Sequence, residues 1–231
     1  MVRHVPEHWH EHHALKDTLD HFSGLNRTLF SFILALSIVS AQTSLTKASE
    51  DVSREGASLI NLQWATRPLP ATSRERVRDL TRQYTATVID EEWPAMAKGE
   101  SSAHAQNIYD ELRRTLQDTQ GSSKQEEVFA RDSLVALREV GDARRARILA
   151  VSHGIPPYLW IGLLLSALLL VAAAAVQIRA MTWTSTFSIG LLTLLVSAVL
   201  AVLSAMNHPY SGGIHVEPEP LKFALQRFTS I

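Results

Sequence analysis

Apolar positions along this chain gather into three runs, with a long polar stretch between the first and the second. Tyr158 to Val176 reads YLWIGLLLSALLLVAAAAV, and Phe187 to Met206 reads FSIGLLTLLVSAVLAVLSAM. Each meets the roughly 20 mostly apolar residues that a helix needs to cross a bilayer. The short turn between them makes a hairpin, with Arg179 in the turn and Trp183 placed as an interfacial anchor. The first run, Thr28 to Thr46, is uncharged but more polar. Its Ser37, Ser40 and Ser44 recur at helical spacing and form one stripe. Lipid does not reward such a stripe, so it faces protein, through close Ser packing, or water, as a pore lining. The pattern predicts spans over residues 28–46, 157–178 and 184–206.

Between the spans, residues 47–152 show helical periodicity and no sustained period-two alternation. Val52, Leu59, Ile60 and Gln63 continue the first span outward as a helix. RPLPATS breaks it, because two prolines remove donors and fix the chain. Thr72 or Ser73 is positioned to cap the next helix, expected to run to Glu92 and to end at Trp93-Pro94. A third helix is predicted over 102–119. A fourth follows the turn QGSS, with Ser123 and Glu126 spaced as a capping box. The tail, 207–231, opens with a turn at His208-Pro209 and the Gly pair, then carries a short amphipathic helix, LKFALQRF. The fold class expected is all-α: three transmembrane helices with an antiparallel helical bundle inserted between the first and second.

Helical phase also places charge inside that bundle. Val77, Leu80, Tyr84 and Val88 form one apolar stripe, which continues onto Glu91 and Glu92 and leaves Asp90 outside. On the fourth helix Leu137 and Val140 lead to Arg144, then Ile148 and Val151, with Arg147 alongside. Buried carboxylates need partners, and Arg pairs with carboxylate through a planar fork. Glu91 or Glu92 is therefore expected to pair with Arg144 or Arg147, just below the membrane, as a structural ion pair or as part of a gate.

Charge adds orientation. Lys47, Arg54, Arg144, Arg145, Lys222 and Arg227 flank the spans on one side, which makes that side cytoplasmic. The amino-terminal segment, residues 1–27, holds six of the ten His, and His8, His10, His12 and His13 are candidate metal ligands. The same segment and the VSA before Gln42 admit a signal-peptide reading, but its Glu7, Glu11, Asp17 and Asp20 do not suit one. A formal net charge of -1 gives no footing for nucleic acid, and with no Cys there is neither disulfide nor thiolate chemistry. No phosphate loop, no His-Glu-x-x-His and no spaced nucleophile and base are present. Neither an enzyme nor a cofactor is expected.

The words EGASLINL, TVIDEEWPAMAKG, DARRARIL, GIPPYLW and HPYSGGIHVEPEP occur in this order. In them the chain resembles the bestrophin-like domain family of bacterial membrane proteins, over about residues 25 to 228. Trp93, Pro94, His208, Pro209 and Gly212 belong to the most specific words and are expected to have structural roles. Kinship with bestrophins, which are pentameric anion channels, implies a homo-oligomer, a pentamer by analogy, in the cell inner membrane, conducting an inorganic ion passively. If a pore exists, copies of the first span line it with Ser37, Ser40 and Ser44, and Phe30, Ile33 and Leu34 form a dewetting constriction. The alternative is a non-conducting scaffold or sensor whose helical bundle binds a partner protein.

Overall fold

The structure, a computed structural model, describes residues 7–119, 124–151, 154–176, 182–211 and 213–228, with side chains from Thr18 onward except Leu19. Among the described residues every regular element is helical. Three helices are long and apolar enough to cross a membrane, with a helical bundle between the first two. Helix α1 runs Glu7–Ala65 without interruption. No proline lies between Pro6 and Pro68, so nothing in the sequence removes a donor along that length. The first span, the polar helix that follows it and the His-rich residues from Glu7 onward are therefore one element.

Helix α2 covers Ala71–Thr87. It starts ahead of the expected caps. Pro70, with φ −49°, presets the helical entry, its carbonyl accepts from Arg74 N at 2.9 Å, and no side chain caps the end. A π turn, Val88–Glu92, leads into a single further turn, α3, Trp93–Met96. The helix thus passes through Trp93-Pro94 instead of ending there. The wider π ring carries the Trp93 N–H to the Val88 carbonyl, an i→i−5 bond, so the ladder is already displaced where the donorless Pro94 enters it. The end comes at Gly99, whose φ of +82° needs glycine and lets Glu100 N reach the Ala95 carbonyl at 3.0 Å.

Helix α4, Ala103–Asp118, begins as expected at Ser102, whose side chain accepts from Ala105 N. Helix α5 covers Lys124–Ala150; Ser123, the expected cap, lies outside the described residues. Helices α6, Pro157–Val176, and α7, Trp183–Met206, are the second and third spans, and α8, Glu219–Arg227, is the amphipathic helix of the tail.

The chain forms two compact units. One holds residues 1–41 and 155–204. Its interior is built from small and polar groups: Ser23, Asn26, Ser37, Ala41, Ser166 and Ala167 are buried beside Leu163, Val196 and Leu203. Asn26 Nδ2 donates to the Ser166 carbonyl at 3.1 Å, and Gly162 faces Ile33. Such close contacts hold membrane helices together where lipid removes the hydrophobic drive. The other unit holds residues 42–154 and 205–231. In it α2 packs against α4 and α8, and α4 against α5. Leu59, Leu62, Leu80, Tyr84, Leu112, Leu137, Val140, Leu221 and Phe228 fill the core between them.

Candidate functional site

At the centre of the second unit lies a set of ionised side chains. The buried stripe of α1 runs Ala48, Val52, Glu55, Leu59, Leu62, which carries Glu55 inward with its apolar neighbours. The π turn supplies Glu92, and α5 supplies Arg144 and Arg147. Glu55, Glu92 and Arg147 are 0% exposed, and Arg144 is buried. Arg147 donates from Nε to Glu55 Oε2 at 2.6 Å, from Nη2 to Glu55 Oε1 at 3.2 Å, and from Nη2 to Glu92 Oε1 at 2.6 Å. Its Nη1 contacts Met96 Sδ at 2.7 Å, and its guanidinium lies 5.7 Å from the Trp93 ring centroid. Arg144 takes the other side of Glu92, with Nη2 to Oε2 at 2.5 Å and Nε to Oε1 at 3.3 Å. It also bonds Gln106 and the Ser102 carbonyl. Tyr84 Oη donates to Glu55 Oε1 at 2.7 Å, and Ser102 N donates to Glu92 Oε2 at 3.3 Å.

Two carboxylates and two guanidiniums cancel in charge, and each carboxylate oxygen has a donor. That is the condition under which buried charge is tolerated. Burial works against ionising Glu92, yet the hydrogen bonds and charges of Arg144 and Arg147 outweigh it and hold its carboxyl below the ordinary range. Burial likewise opposes both guanidiniums, and their acidic partners more than compensate, so both stay protonated. Tyr84 is kept a neutral donor, first by burial and then by the Glu55 charge.

The pairing expected from helical phase is thus present for Glu92, with both arginines. Glu91 is half-exposed and pairs with His104 Nδ1 at 3.0 Å. The π turn is the reason: its ring holds more residues per turn, so after Val88 the inward position falls on Glu92 and Glu91 rotates outward. Asp90 is exposed, as expected. Glu55 was not anticipated, although its spacing from Val52 and Leu59 carried the signal. Nor were the roles of Tyr84, Ser102 and Gln106.

The family words meet beside this network. The Trp93 and Tyr210 rings pack edge to face, 5.5 Å apart at 89°. Met96, Ala97, Lys98 and Gly99 from one word and His208, Tyr210 and Ser211 from the other line a cavity of about 440 Å³. Pro209 is buried and its carbonyl accepts from Val216 N at 2.8 Å; Pro94 is exposed; Gly212 lies outside the described residues.

In the first unit, Ser37 faces inward and its hydroxyl donates to the Ile33 carbonyl at 2.8 Å. Phe30, Ile33, Leu34 and Ser40 are half-buried, and so is Ser44 of the second unit. His8, His10, His12 and His13 fall in α1, but their side chains lie outside the described residues. Among the described residues no group of three or more His, Asp or Glu is placed to hold a metal ion.

Three apolar spanning helices and a helical bundle folded around an internal ion network define a multi-pass helical membrane protein. The chain belongs to the bestrophin-like family: the model of the bestrophin-like domain matches residues 1–221. Its helical transmembrane architecture is consistent with that of channel-like proteins. No curated protein and no solved structure is significantly similar to the chain.

Proposed function

We propose that the protein assembles with copies of itself in a cell inner membrane and conducts an inorganic ion passively, with α1 bordering the path. The bundle of the second unit lies on the cytoplasmic side in this reading, which the positive charges of Lys47, Arg54, Arg145, Lys222 and Arg227 support. Family membership supports the channel type. The observation that carries the role of α1 is its outward face. Phe22, Leu25, Leu29, Phe32, Leu36 and Val39 are exposed at alternating spacings of three and four and make one continuous apolar face. From Thr43 that face turns polar, through Thr46, Glu50 and Ser53. In a ring of copies it presents a dewettable apolar segment followed by a hydrophilic one.

Ser40 borders this face, whereas Phe30, Ile33, Leu34 and Ser44 lie nearer the side of α1 that carries the buried Ser37 and suit a lining role less well. Ser37, enclosed within its own subunit, is the least suited of the set. The test is conductance of the purified protein in planar bilayers. Ser40→Trp is expected to lower the current, and Leu36→Asn to raise it by wetting the constriction. An assembled protein that passes no current would overturn the channel reading in favour of the scaffold.

A further inference from the structure

At the other end of the second unit, where α1 turns into α2, Gln63, Arg67, Arg74, Glu75 and Arg78 line a cavity of about 520 Å³. Its three guanidiniums are each held. Arg67 lies 4.3 Å over the Trp64 ring. Arg74 Nη1 donates to the Arg67 carbonyl at 3.2 Å, and Arg78 Nη2 donates to the Phe228 carbonyl at 3.1 Å. Those bonds occupy one nitrogen on Arg74 and one on Arg78, and leave the rest of each fork unused. The second observation is Gln63. This side chain is 6% exposed, and its amide Nε2 is buried with no hydrogen-bond partner. A buried donor without an acceptor costs about 1–3 kcal/mol, so an acceptor at this wall is favoured. No part of the ion network or of the spans uses these residues.

We infer that this cavity is a binding site for a phosphate-bearing anion. Three Arg and one Glu leave a charge of +2, which matches the roughly −1.5 to −2 of a phosphate monoester at neutral pH. Arg forks bind phosphate through paired N–H groups, and positions pinned by backbone carbonyls lose little freedom on binding. The Gln63 amide supplies the neutral donor that reads an oxygen acceptor. Two sources share this chemistry, a soluble phosphate compound and a phospholipid headgroup.

The experiment uses the full chain in detergent, with inorganic phosphate as the probe in titration calorimetry. Wild type is expected to bind. Arg74→Gln with Arg78→Gln weakens binding roughly tenfold or more, a change of at least about 1.4 kcal/mol. Gln63→Leu and the charge-conserving Arg78→Lys each weaken it severalfold, while Arg131→Gln, an exposed arginine on α5, leaves it unchanged. Trp fluorescence melts confirm that each variant is folded. A repeat in phosphatidylcholine nanodiscs with and without phosphatidic acid separates the sources: competition by phosphatidic acid points to a headgroup, its absence to a soluble ligand. No heat with wild type, equal binding in Arg78→Lys, or equal loss in Arg131→Gln overturns the site.

Discussion

Replacing Arg147 by Met isolates what the ion network contributes. The Met stem follows much of the Arg path beside Met96, so packing is largely kept while three charge-assisted bonds, to both Glu55 oxygens and to Glu92, disappear. Glu55 is left with Tyr84 alone, Glu92 with Arg144 and Ser102, and the buried set carries one uncompensated negative charge. Removing one partner of such a set costs about 3–5 kcal/mol, out of the roughly 5–15 kcal/mol that holds a domain folded. For a chain of this size each kcal/mol moves the midpoint by roughly 2–4 °C, so a fall on the order of 10 °C is expected. Thermal melts in detergent, followed by intrinsic Trp fluorescence, read it directly, since Trp93 adjoins the network. Combining Arg147→Met with Glu55→Gln removes charge of both signs and should restore about 1–3 kcal/mol relative to additivity. If Arg147→Met melts within about 1 kcal/mol of wild type, or the two changes simply add, then the network is not the dry, coupled site argued above.

Other outcomes follow from the same geometry. Because the Glu92 pKa is lowered on folding, its contribution is complete above the ordinary Glu value of about 4.3 and is lost as pH falls toward the depressed one. The melting midpoint should therefore drop on acidification through that window, and Glu92→Gln should flatten the drop. A Cβ at Gly141 would collide with the Tyr109 hydroxyl, which donates to the Leu137 carbonyl at 3.1 Å. Gly141→Ala should cost roughly 1–3 kcal/mol in a denaturation series, with Tyr109→Phe in the same chain recovering part of it. Ser102→Ala removes the α4 cap and should cost about 1 kcal/mol by the same measurement.

Much of this arrangement was readable from period and charge alone. The three spans follow from the length of their apolar runs, and the continuation of the first span into the bundle and the facing of Glu92 toward Arg144 and Arg147 follow from apolar residues three or four apart. Errors arose where backbone geometry departs from the ideal α-helix. A π turn cannot be read from VIDEE, and it alone moves Glu91 from the inward face to the surface. Pro94 looked like a terminator because an α-helical ladder has no room for it, but the displaced bonds of the π turn let one more turn form. Neither Thr72 nor Ser73, the two expected caps, takes that role, which falls to Pro70, one of the residues that marked the break. Glu55 was overlooked for a different reason. A lone acid within an apolar stripe is usually dismissed as solvated, and only the pair on α5 gives it a partner.

The complete enclosure of Glu55, Glu92 and Arg147 also fixes how the bundle answers to its medium. Dissolved ions weaken charge pairs that they can approach, over a screening length of about 8 Å at physiological strength. They can approach the surface pairs Arg76–Glu111, Arg145–Asp142 and Lys222–Glu219, whose side chains are all more than 40% exposed. They cannot enter between groups with no accessible surface. The tie from α1 through the π turn to α5 therefore keeps its strength across swings in salinity that weaken the outer pairs, and the bundle is indifferent to ionic strength at its centre.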